Sequence, residues 1–193
     1  MTRGAFGVAA ALLLAAIWAV PAAAEETTAD VVAARQIVKR FAGELQGELK
    51  KAVGDEGFEH AIGVCKDAAP RIAAKLSAET GWRVGRTALR LRNPANAPDS
   101  VEREVLREFL ERAAAGEPLA KMETTLEQIG AEARKTFRYM KAIPTGELCL
   151  TCHGGDVDPE LAARIRAAYP EDKATGFKLG ELRGAFTLTK SLD

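Results

Sequence analysis

The 193-residue chain sets 27 basic residues against 27 acidic ones, which removes any global electrostatic case for nucleic-acid binding. Its length suits one domain with a single substantial core, and its 3 cysteines cannot all pair. One thiol at least needs another explanation.

The first residues have the composition of an export signal. Arg3 supplies the positive end, Ala5 to Val20 form an apolar run, and Pro21-Ala22-Ala23-Ala24 offers a small-residue cleavage site. A retained membrane anchor is the competing reading, but the apolar run is short for the roughly 20 residues of a span. No cysteine lies near the site, which excludes a lipoprotein anchor. Removal of residues 1–24 as a cleaved signal peptide leaves 193 − 24 = 169 residues, 25–193, with a formal charge of 26 − 27 = −1 and no further membrane anchor. The expected compartment is the periplasm.

Ala29 to Val53 predicts one long amphipathic helix, with Val31, Ala34, Val38, Phe41, Leu45 and Leu49 near a three-four spacing and Gly54 as its stop. It either covers its own domain's core or serves as a dimerisation or signalling helix. A second helical stretch carries Phe58, Ala61, Ile62, Cys65, Ala69, Ile72 and Leu76 on one face, so Cys65 points inward. Pro70 predicts a kink near Ala68 and Ala69, and Gly81 closes the segment.

Trp82 to Leu91 reads as an arginine-rich strand with a bulge at Gly85, followed by a turn-rich loop over residues 93–98. Asp99 with Glu102 marks a helix start, Val101, Val105, Phe109, Leu110 and Ala113 form its inward face, and Gly116 stops it. Leu119 to Ile129 is expected to pair as a strand with Thr136 to Ile143 across a turn near Gly130. On the second of these strands Phe137, Tyr139 and Lys141 share one face, Met140 and Ala142 the other.

Cys149-Leu150-Thr151-Cys152-His153 is the C-x-x-C-H pattern of covalent c-type haem attachment. Each thiol can add to one porphyrin vinyl group, and His153 is then placed to ligate the iron. Half a zinc site, a thioredoxin-like pair and a structural disulfide are the alternatives. A zinc site would need two more ligands, for which only His60 and Cys65 remain. Beyond the motif, Gly154-Gly155 gives a turn, Asp158 and Pro159 open a helix to about Tyr169, and Gly184 to Thr189 forms a last strand. Helices first, then strands with interposed helices, indicate an antiparallel α+β sheet.

His60, Cys65, Met122 and Met140 compete for the second axial position. On a continuous helix His60 and Cys65 project about 140° apart, so they cannot both face the iron. His60 sits among acids, and both methionines fall in strand-like stretches where core packing is the plainer expectation. An inert buried thiol remains the rival reading of Cys65.

Several stretches together resemble a known family. They are residues 61–65 with Ala69-Pro70, residues 90–98, residues 137–141, the haem motif, and Thr175-Gly176-Phe177 with Leu182-Arg183-Gly184-Ala185-Phe186. They are similar to the PAS-like single-haem c-type cytochromes, over nearly the whole mature chain. The resemblance implies a PAS-like α+β fold, an antiparallel sheet with flanking helices, and one haem c held covalently through Cys149 and Cys152. It also implies axial ligation by His153 on one side and the Cys65 thiolate on the other. Haem propionates are anionic, so Arg90, Arg92 or Arg86, helped by Asn93 and Asn96, are candidates to hold them; a solvated strand face is the alternative.

A thiolate ligand favours ferric iron and a low potential. The expected function is a periplasmic redox or small-gas sensor in which reduction lets Cys65 protonate and leave the iron. The alternative is a periplasmic electron-transfer cytochrome. No kinase, cyclase or DNA-binding segment follows in this sequence, so a redox partner or membrane sensor protein is the expected recipient. A homodimer through the long helix is a further expectation, and enzymatic activity is not.

Overall fold

The computed structural model describes residues 22–129 and 134–192. The expected signal peptide, apart from its last three residues, and the turn near Gly130 lie outside them. The first helix, α1 (Ala22–Glu56), is longer than its periodicity predicts. Its buried stripe is Ala34, Ile37, Val38 and Phe41, the three-four spacing of one helix face. Gly54 does not end it. The stop is Gly57, at φ 81°, a left-handed conformation that costs glycine little and other residues more.

α2 (Phe58–Gly63) passes without a break into a π turn (Val64–Ala68) and then α3 (Ala69–Thr80). The kink expected at Pro70 is therefore a π turn completed before it, and Pro70, in the first turn of α3, has no N–H to offer the carbonyls of that turn. α3 lies against α1 as a helical hairpin. Its outer seam is laced by Arg40–Glu79 at 2.5 Å, Arg71–Glu48 at 2.8 Å and Lys75–Glu44 at 3.1 Å.

Four strands follow: β1 (Arg83–Thr87), β2 (Glu123–Ile129), β3 (Lys135–Pro144) and β4 (Leu182–Ser191). They form one antiparallel sheet in the order β1-β4-β3-β2. Two expectations need correcting here. β1 stops at Thr87 rather than Leu91, and its pairing with β4 is regular through Gly85, so there is no bulge there. The register shift falls instead at Ile143/Pro144 in β3, beside a residue with no N–H to offer the ladder. The 119–129 stretch also divides, its first three residues forming a 3-10 turn before β2 begins.

The alternation along β3 is the one expected, but it separates two cores where a single one was expected. Phe137 and Tyr139 pack with Phe41, Ile72, Leu76, Trp82, Val84, Phe186 and Leu188 under α1 and α3. Met140 and Ala142 pack with Val105, Leu106, Phe109, Leu119, Met122 and Ala185 under α4 (Ser100–Ala114). A capping box opens α4: Asp99 accepts from Glu102 N–H at 2.8 Å, and Glu102 accepts from Asp99 N–H at 3.1 Å. Two short helices, α5 (Glu147–His153) and α6 (Pro159–Ala168), bridge β3 and β4 outside the sheet. The whole is the α+β arrangement expected: a four-stranded antiparallel sheet flanked by helices, with a long N-terminal helix.

Candidate haem site

The site lies where β1 and β3 end and β4 begins. The C-x-x-C-H segment is α5 itself, so Cys149 and Cys152 stand one turn apart on one helix, both half-buried free thiols. The entry to α5 is fixed by Thr145, whose N–H and hydroxyl both donate to the Glu181 carbonyl, at 2.8 and 2.9 Å. Its exit is fixed by Gly154, where any Cβ would stand 2.5 Å from the Leu150 carbonyl oxygen. This close approach requires glycine directly behind the histidine.

His153 is oriented by the chain before β4. Its Nδ1 donates to the Ala174 carbonyl at 2.6 Å, which leaves Nε2 as the nitrogen available to a metal. Phe177 packs edge-on to the imidazole at 6.3 Å between ring centroids, and Phe177 N–H donates to the His153 carbonyl at 2.9 Å. Burial, with Arg183, Arg92 and Arg86 nearby, pushes the imidazole pKa down to about 2, so the ring is neutral and competent as a ligand across the physiological range.

Arg92 latches the three pieces together. Its Nη2 donates to the Cys152 carbonyl at 2.6 Å, to Asp172 at 3.0 Å and to the Ala174 carbonyl at 3.3 Å. Its buried Nε has no partner. Arg90 is exposed, donates to the Thr175 carbonyl and lies 3.9 Å over the Phe177 ring. Asn93 accepts from Ala95 N–H at 2.9 Å and so caps the short 3-10 turn of residues 94–96.

Cys65 occupies the π turn and is half-buried. It borders a cavity of about 530 Å³ that also reaches Phe41, Arg86, Asn93 and Asn96. It lies within electrostatic range of Arg86, Tyr169, Cys152 and Arg183, which puts the π turn on the same side of the molecule as the motif. A second cavity, about 670 Å³ and mostly aliphatic, ends at Phe177 and Arg183 on the α4 side. The remaining ligand candidates are placed elsewhere: Met122 and Met140 are fully buried in the α4 core, and His60 is exposed. Among the described residues no cluster of three or more His, Cys, Asp or Glu could hold a metal ion, which leaves the zinc reading without its ligands.

The donor set fits a covalently attached haem. Two thiols one helical turn apart, a neutral imidazole with one nitrogen tied back, and an orphaned Arg92 Nε beside them are what such a group would meet. Sequence reasoning missed Asp172, Tyr169 and Arg183 as parts of this site. Arg183 stood in a stretch already singled out; Asp172 and Tyr169 carried no signal, because their roles depend on the loop before β4 folding back onto 90–92.

What fold and site define is an α+β domain, a four-stranded antiparallel sheet with flanking helices and a C-x-x-C-H helix at its end. The chain belongs to the Tll0287-like family, whose model matches residues 14–191. Among solved structures it is similar to the cyanobacterial heme-protein Tll0287, with 24% identity, a TM-score of 0.60, and coverage of 91% of this chain and 98% of that one. At that identity the likeness establishes the shared fold. No curated protein matches.

Proposed function

We propose that this protein is an exported, periplasmic c-type haem protein that acts as a redox or small-gas sensor, with Cys65 and His153 as axial ligands. One observation carries the reading: a third thiol, set in a π turn, lies within electrostatic range of Cys152 on a C-x-x-C-H helix whose histidine has Nε2 left over. The structurally similar cyanobacterial Tll0287 is a heme-protein, which supports the cofactor.

A haem supplies a one-electron couple and an iron position open to a small neutral gas. Cys149 and Cys152 would hold it by adding S–H across its two vinyl groups, forming thioethers with no atom lost. His153 would ligate from one side, its imidazole aimed by Ala174 and wedged by Phe177. Cys65 would ligate from the other as a thiolate.

The two ligands are held differently, and the difference suggests the signal. His153 is fixed by its hydrogen bond, by Phe177 and by the Arg92 latch. Cys65 rides a π turn, one residue wider than its α-helical neighbours and frequent where a helix must change shape. With an electron from a one-electron donor and a proton from solvent, Cys65 would leave as the thiol. The turn could then relax against α1, which packs on it. A redox partner or membrane sensor protein would read that movement.

The test is carbon monoxide added to reduced protein. A shifted Soret band shows that the Cys65 side has opened and supports the sensor. An unchanged band, with both ligands kept in both oxidation states, favours the alternative, an electron carrier.

A further inference from the structure

The charge balance at the end of the sheet does not close within the chain. Three guanidiniums, those of Arg183, Arg92 and Arg86, bear on His153. Arg92 is answered by Asp172 at 3.0 Å. Arg86 and Arg183 form no ion pair with any carboxylate among the described residues. Arg86, on β1, stands 5.6 Å from the centroid of Phe41 and lines the cavity that reaches Cys65. Arg183, at the start of β4, stands 5.3 Å from the centroid of Phe177, the ring packed on His153, and reaches only the Arg90 carbonyl at 3.4 Å.

Both side chains are half-buried, and what they leave open borders cavities rather than a flat surface. Burial depresses both guanidiniums, the unfavourable sign for a buried cation lacking its anion. The neighbouring arginines are committed elsewhere. Arg90 is exposed and donates to the Thr175 carbonyl; Arg83 points from the opposite face of β1 and donates to Thr189 at 3.1 Å.

We infer that Arg86 and Arg183 are the counter-ions of the two haem propionates, one on the Cys65 side of the site and one on the His153 side. This rests on the haem reading. In the ferric state the porphyrin dianion and one thiolate cancel the iron's charge, so two propionates remain to face two guanidiniums, and the site closes to neutrality. Arg92, already neutralised, keeps its orphaned Nε as a hydrogen-bond donor rather than a charge.

Removing either guanidinium leaves one propionate uncompensated. Its negative charge repels the incoming electron, so the midpoint potential falls; at lower pH that propionate takes a proton and the potential recovers. Spectroelectrochemical titration from pH 5 to 8, with resonance Raman of the propionate bending modes, tests this on haem-loaded wild type, Arg86→Gln, Arg183→Gln, both Lys variants and Arg83→Gln. Each Gln variant should show a lower potential at pH 8, a pH dependence steeper than wild type and a shifted propionate band. Lys should restore the potential but not the band, since it supplies the charge without the bidentate fork, and Arg83→Gln should match wild type.

If both Gln variants keep the wild-type potential and band, or if Arg90→Gln alone moves them, the assignment is wrong. Should the Gln variants fail to fold, the Lys variants decide it: an unmoved propionate band in both overturns the inference. Wild type that takes up no haem sinks the haem reading and this inference together. Haem present with silent arginine variants removes the inference alone.

Discussion

The sheet's core and the site at its end balance charge in opposite ways. In the core under α1, Tyr139 is fully buried, yet its hydroxyl donates to Glu123 at 2.6 Å, and Glu123 also accepts from Arg35 Nε at 2.8 Å. On the α4 side, Glu102 receives the Thr187 hydroxyl at 2.7 Å and faces Arg138 at 3.1 Å. Each charge there has its opposite within the chain. At the end of the sheet three guanidiniums, those of Arg86, Arg92 and Arg183, bear on one imidazole, and of the three Arg92 has a carboxylate, Asp172, in an ion pair among the described residues. The first region specifies the fold; the second leaves Arg86 and Arg183 without a carboxylate in an ion pair among the described residues.

Substitutions can break this contrast, beginning with the cofactor. Replacing both Cys149 and Cys152 by serine should abolish covalent haem, read as loss of haem-stained protein on a denaturing gel. The same change made in the core should act on stability alone. Leu76→Ala removes a fully buried side chain that lines neither cavity and should cost about 2–5 kcal/mol in urea denaturation, with loaded protein keeping its ligand set. Tyr139→Phe should cost about 1–2 kcal/mol, because Glu123 loses one donor but keeps Arg35.

Glu123 gives the contrast a pH axis. The hydrogen bond from Arg35, with that from Tyr139, holds its carboxyl at about 2 against an ordinary 4.5. A folded-state value below the unfolded one stabilises above about pH 4.5, and that contribution is lost as pH falls toward 2. Glu123→Gln should therefore flatten this part of the acid-denaturation curve and leave stability above pH 6 little changed in slope. The smallest effect belongs to the α1–α3 seam. Arg71→Ala breaks an exposed pair with Glu48 and should change stability by less than about 1 kcal/mol.

What could be read from the sequence was local. The stripe of α1, the capping box at Asp99 and Glu102, the alternation of Phe137 and Tyr139 against Met140 and Ala142, and the haem motif each depend on spacing within one segment. What could not be read was long-range. β1 ends at Thr87 because the chain then leaves the sheet to wrap the site: Lys173 N–H donates to the Leu91 carbonyl at 2.7 Å, and Arg92 reaches Cys152 and Asp172. Nothing in residues 88–92 announces partners some eighty positions away. Arg138 is buried because Asp99 and Glu102 meet it at the start of α4, which no spacing within its own strand signals. Pro144 could have located the irregularity in β3, whereas the bulge expected was at Gly85 in the 82–91 strand, where the pairing is regular. Tertiary context also fixes Gly184: a Cβ there would collide with the Thr87 carbonyl where β1 ends.

The central claim is that Cys65 faces the iron opposite His153. Low-temperature EPR of the oxidised, haem-loaded protein tests it most directly when wild type is set beside Cys65→Ser. Thiolate ligation predicts a low-spin signal of narrow g-spread in wild type, lost in Cys65→Ser to a high-spin or differently ligated species. Identical spectra from the two would contradict the account.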